Sequence, residues 1–228
     1  TRNNIREFRS DTFWYRRSHP PDSFVQASRW EFDAHWRTTD AGRRLPSWIQ
    51  LGRHWSYRDG SSLDAYIRPT TSGIDDLTTR GGPAFNLPPQ PDVRLSFLSR
   101  RTDRWRWSTV VSAFREGLSR TGYQCEINPQ FYAGTDLNFD MDLIYRDSPD
   151  WLIWRPDLGK LARHSRRQLQ AAFNTNWYPT PKSEFRLRLQ WAGLQAHGRQ
   201  AYDIGPDGAL LPAAEVVGDF SLSDIALQ

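Results

Sequence analysis

Residues 135–146 read "TDLNFDMDLIYR". Thr135, Leu137, Phe139, Met141, Leu143 and Tyr145 occupy the odd positions, and Asp136, Asn138, Asp140, Asp142, Ile144 and Arg146 the even ones. Successive side chains of a strand point to opposite faces, so this segment predicts a strand with one apolar face and one charged face. Helical spacing would scatter both sets around the axis.

The same alternation spreads outward from this stretch. Trp30, Phe32, Ala34 and Trp36 interleave with Glu31, Asp33 and His35. Val93, Leu95 and Phe97 form a similar run, as do Trp105, Trp107, Thr109, Val111 and Ala113. Leu169, Ala171, Phe173, Thr175 and Trp177 follow, then Phe185, Leu187, Leu189 and Trp191. Period-two patterning this extensive predicts an all-β, antiparallel chain. Tight reversals are expected at 99–104 ("SRRTDR"), 146–150 ("RDSPD") and 178–183 ("YPTPKS"), with longer connections at 68–91 and 193–218. Residues 159–172 could be helical, although their second half reads better as strand.

Composition narrows the class. Hydrophobic residues make up 38% of the 228, while aromatics reach 14% and include 11 Trp. A chain lean in aliphatics but rich in Trp and Tyr fits aromatic belts at a membrane interface or aromatic platforms for sugars. The net charge of +4 is spread along the chain without a long basic run, which argues against a nucleic-acid partner. The single cysteine, Cys125, excludes an internal disulfide framework.

The placement of the large rings decides between those two uses. Trp30 and Trp36, Trp105 and Trp107, Tyr145, Trp177 and Trp191 stand at strand ends, with Ala34, Val111, Ala171 and Leu187 between them. Rings at headgroup level and small or aliphatic groups at acyl-chain level are the pattern of a membrane-spanning strand. The expected fold is therefore an antiparallel up-and-down transmembrane β-barrel of about a dozen strands, counting about ten residues per strand plus its turn. Leu137, Phe139, Met141, Leu143, Leu187 and Leu189 are candidates to face lipid. Asp136, Asn138, Asp140, Asp142, Arg186 and Arg188 are candidates to face a watery lumen, the acids lying opposite arginines such as Arg94, Arg104, Arg106, Arg186 and Arg188.

Three stretches carry a resemblance to a known family. "DDLTTRGGPAF" at 75–85 contains a "TRGGP" segment, "NWYPTPKSEFRLRLQWAGLQA" spans 176–196, and "GDFSLSDIALQ" spans 218–228. Together they resemble a bacterial outer-membrane β-barrel domain of undefined function that follows a domain similar to family 9 carbohydrate-binding modules. The resemblance implies that residues 1–228 are one barrel segment of a longer protein, partial in itself. It also implies a location in the bacterial outer membrane, and a glycan partner reached only through a preceding domain. No catalytic residue can be carried over from it.

Chemistry-bearing motifs are sparse. His19, His35, His54, His164 and His197 share no metal-ligand spacing with one another or with Cys125. No nucleophile elbow, phosphate loop or dinucleotide fingerprint occurs. The expectation is a non-enzymatic barrel without metal or cofactor, in contact with outer-membrane lipid and serving structure, transport or surface anchoring. The alternative is a soluble or cell-surface carbohydrate-binding β-domain, with Trp14, Tyr15, Trp48, Trp151 and Trp154 as its platforms.

Overall fold

The structure, a computed structural model, describes residues 5–227. Residues 1–4 and 228, the two ends of the expected segment, lie outside the described residues. The described chain is strand and connection throughout, with no helix. In chain order the strands are β1 Ile5–Arg16, β2 Val25–Thr39, β3 Trp48–Tyr57, β4 Ser62–Arg68, β5 Gly73–Asp75, β6 Phe85–Leu87 and β7 Asp92–Leu98. They continue as β8 Trp105–Arg115, β9 Thr121–Ala133, β10 Leu137–Arg155, β11 Lys160–Thr180, β12 Ser183–Ile204, β13 Leu210–Ala213 and β14 Phe220–Leu227.

Twelve of these strands form one antiparallel sheet in the order β1-β2-β3-β4-β7-β8-β9-β10-β11-β12-β13, with β14 also paired to β12. Each long strand lies beside its predecessor, so the topology is up-and-down. β13 pairs with Ala201–Ile204 and β14 with Leu189–Ala196, so the two follow one another along the outer edge of β12. The sheet does not close on itself: β1 pairs only with β2 among the described residues.

The connections sort by end. Those after β1, β3, β7, β9 and β11 lie at one end and are mostly short. The insert between β4 and β7 lies at the other, carries the separate β5–β6 pair, and shares that end with β13. A small core sits there: Phe85, Leu87, Leu161 and Tyr202 are buried, with Leu118, Leu152, Trp154, Ile204 and Leu210 packed against them. Asn86 ties the insert to the β12–β13 turn, its amide nitrogen donating to the Gly208 carbonyl and its side chain to the Asp207 carbonyl.

Two sequence expectations fail in this region. Residues 146–150 are not a reversal; β10 runs straight through them with a register shift between Ser148 and Trp151, and the turn comes at 156–159. Pro149 is accommodated at that bulge, where the ladder needs no amide donor. The connection expected at 193–218 begins only after Ile204, because β12 continues for 22 residues. The possible helix at 159–172 is strand throughout Lys160–Thr180. The "TRGGP" segment forms a turn in which Arg80 and Gly81 both take positive φ, at 51° and 97°.

The molecule exposes far more surface than a globule of its size. Its accessible area is 14411 Å², against about 10,700 Å² for a compact monomer of this mass. One large sheet with two bare faces produces that excess. Two sheets packed around a dry core would not.

Candidate functional site

The cross-strand register gathers the apolar residues onto one continuous face. One row of directly opposed residues runs Trp30–Arg53–Ala65–Leu95–Val111–Cys125–Tyr145–Leu169–Gly193. A second runs Trp55–Leu63–Phe97–Thr109–Ile127–Leu143–Ala171–Trp191–Ile225. This face has no protein over it: Leu95 and Leu169 in the first row are 45% and 42% exposed, and Trp36 and Trp105 outside the two rows 49% and 53%.

The apolar belt is oblique to the strands. On β2 it spans Trp30–Trp36 and on β11 Leu169–Trp177. Yet Trp30, the margin nearest the short turns on β2, lies in the same row as Leu169, the opposite margin on β11. Averaged over its two margins, the belt shifts by about seven residues across the seven strand steps between β2 and β11. At ~3.4 Å per residue and ~4.8 Å per strand, that is a tilt of about 35°. Strands of outer-membrane barrels tilt by ~35–45° from the barrel axis, so a belt level in a bilayer crosses them at this angle.

Large rings edge the belt on both sides. Trp30, Trp55, Trp105, Trp107, Trp177 and Phe185 stand on the short-turn side, and Trp36, Tyr123, Tyr145 and Trp191 on the other. Trp14 joins the margin opposite Trp30. Rings also occur inside the belt, contrary to the sequence expectation. Phe139 stacks at 6.1 Å on Phe131 and 6.0 Å on Phe173. One charge interrupts the belt: the Arg53 guanidinium lies over Trp30 at 4.2 Å and Trp55 at 5.2 Å, so two ring faces cover it.

Of the sequence candidates, Leu137, Phe139, Met141, Leu143, Leu187 and Leu189 all lie on the apolar face. Asn138, Asp140, Asp142, Arg186 and Arg188 lie on the other. Asp136 belongs to neither, because it falls in the exposed β9–β10 turn. The expected opposition of acids and arginines is off by one strand. Asp140 faces Gln130 and Asn174, and Arg106 and Arg188 stand beyond them. Amides occupy the intervening positions, and Asp142 accepts a hydrogen bond from Asn128 rather than from a guanidinium.

The polar face is densely bonded. His54 Nδ1 meets Asp64 at 2.6 Å, Gln50 donates to Glu31 at 3.2 Å, and Asn176 donates to Asn138 at 3.0 Å. Toward the elaborate end, Glu116 of the β8–β9 loop accepts from Arg146 at 3.1 Å, from Arg166 at 3.0 Å and from the Ser148 hydroxyl. Beside it the fully buried Asp150 accepts from the backbone amides of Ser119 and Arg120, both at 2.8 Å. Gly117 has φ +76°, and a Cβ there would strike the Asp150 carbonyl, so the loop closes against β10 only with glycine.

In the turn after β10, Arg155 grips Asp157 with two hydrogen bonds of 3.1 and 2.8 Å. The pair holds the Asp157 carboxyl below its ordinary value of 3.8.

A hollow of about 520 Å³ opens on the polar face where β3, β4 and β7–β10 approach the elaborate end. Sequence reading missed it, since its lining comes from seven strands, β2 included, and three connections. Trp48, a candidate sugar platform, stands inside it with Arg37 and Arg68 over its ring at 5.4 and 5.9 Å. Trp151 and Trp154 line a separate hollow with Leu77, Thr79 and Arg80. Among the described residues no group of three or more His, Cys, Asp or Glu is placed to hold a metal ion. No protein-family model, curated protein or solved structure matches this chain.

Proposed function

We propose that this sheet is the greater part of an outer-membrane β-barrel, its apolar belt in lipid and its polar face lining an aqueous lumen through which solutes pass. The observation that carries the reading is the oblique belt. A face uncovered over ten strands, edged by rings on both sides and inclined by about 35°, matches what a tilted barrel strand requires of the surrounding bilayer. The bonded polar face suits water. The resemblance of 75–85, 176–196 and 218–228 to bacterial outer-membrane barrels points the same way. Lipid cannot satisfy an open strand edge, so in the membrane β1 and β14 must pair with further strands. The role is passage rather than catalysis.

The test uses full-length protein, with Cys125 changed to Ser, in phosphatidylcholine vesicles. A spin label at 139 is expected to relax with oxygen and one at 140 with a water-soluble nickel chelate. A label at 139 shielded from both reagents, as in a dry protein core, would refute the lipid placement.

A further inference from the structure

The ~520 Å³ hollow on the polar face is strongly cationic. Four arginines with side chains on the polar face line it, Arg37, Arg68, Arg94 and Arg146, against two carboxylates, Asp92 and Glu116, while Arg115 at the rim has the parity of Val111 and Ala113 and turns to the other face. Three of the arginines are fixed in place. Arg37 donates twice to the Pro46 carbonyl, at 3.1 and 2.7 Å; Arg68 binds Asp92 at 2.6 Å; Arg146 binds Glu116 at 3.1 Å. Aromatic faces brace them further: Trp48 lies under Arg37 and Arg68, and Phe114 under Arg146 at 4.4 Å. Their charge is thus presented without much remaining freedom, which lowers the entropy lost when a ligand binds.

The fourth has no bonding partner among the described residues. Arg94, half-buried on β7 between Tyr66 and Ser112, makes no hydrogen bond or ion pair. The Arg146 Nε is buried and also lacks an acceptor. Unused guanidinium donors in a partly enclosed hollow, with two positive charges in excess, call for an anion. Guanidinium forks bind carboxylate and phosphate oxygens in pairs. The volume falls within the range of small-molecule sites.

We infer that this hollow binds a small solute carrying two or more carboxylate or phosphate groups, with Arg94 as its principal contact. The site is built by the polar face alone and does not depend on whether the opposite face meets lipid.

The experiment is calorimetric titration of citrate, and separately of inorganic phosphate, into full-length protein in a nonionic detergent at low salt. Saturable binding that weakens as chloride is raised is expected for at least one of them. Arg94→Gln should weaken it about tenfold, the worth of one charged hydrogen bond, and Arg94→Lys by less. Arg186→Gln, on a distant part of the face, should not weaken it at all. Arg94 holds no partner, so its replacement leaves nothing unpaired and folding should persist. Saturable binding of neither anion, or binding indifferent to Arg94→Gln, would overturn the inference. Conductance in planar bilayers separates the two proposals: Arg94-dependent anion binding without conductance supports the site and removes the pore, whereas conductance without binding removes the site.

Discussion

Leu95 and Leu169 offer a controlled test of the oblique belt. They are the same residue type, are 45% and 42% exposed, and stand in one row of directly opposed residues. Leu95 is central in the belt on β7, between Val93 and Phe97, and Leu169 is at its margin on β11. Four strand steps separate them, about 19 Å across the sheet. With the belt tilted by about 35°, that row climbs about 11 Å in depth, nearly half of an apolar band ~25 Å tall. An arginine at Leu95 should therefore cost about 2–4 kcal/mol, and one at Leu169 about 0–1 kcal/mol. The assay is guanidinium unfolding of full-length protein in vesicles, followed by tryptophan fluorescence. A sheet face covered by protein, or one bathed in water, would treat the two sites alike. Costs agreeing within about 0.5 kcal/mol, or a larger cost at Leu169, would refute the tilt and with it the bilayer placement.

Other outcomes can be stated more briefly. Phe139→Arg should destabilise the protein by about 2–4 kcal/mol in vesicles, whereas Asp140→Asn, one residue away on the opposite face and without an ion-pair partner, should change stability by less than about 1 kcal/mol; equal effects in the same unfolding assay would count against two chemically distinct faces. Asp150→Ala removes a buried carboxylate that accepts from the amides of Ser119 and Arg120 and should cost about 1.5–3 kcal/mol by denaturant midpoint, the worth of a hydrogen bond to a charged group. Gly117→Ala, at positive φ and against the Asp150 carbonyl, should lose at least about 1 kcal/mol, and an unchanged midpoint would contradict the loop geometry. Asp157 has a carboxyl depressed by Arg155, so its stabilisation is present above the ordinary value of 3.8 and disappears as pH falls through the lower folded value. The wild type should accordingly lose more stability than Asp157→Asn between about pH 5 and pH 2, and parallel pH profiles for the two proteins would show that the turn pair contributes nothing.

Alternation is a local property, and the sequence displayed it in full. Each residue's face follows from its parity, so the separation of Leu137, Phe139, Met141 and Leu143 from Asn138, Asp140 and Asp142 needed no tertiary information. The ring-edged strands were legible for the same reason. Where the sequence misled, a local signal competed with long-range pairing. "RDSPD" has strong turn chemistry, yet two neighbouring strands hold it extended and absorb the proline in a bulge. The sequence suggested a connection from 193 onward, but β11 pairs with β12 as far as Tyr202 and β14 as far as Ala196, and they keep that stretch in the sheet.

The tilt of the belt and the arginine hollow were decided by the tertiary structure alone. Both depend on register between strands far apart in sequence, and a shift of two residues in any pairing keeps every face correct while changing every neighbour. Parity therefore assigned Arg94 to the polar face, whereas only the assembled sheet brought Arg37, Arg68 and Arg146 around it.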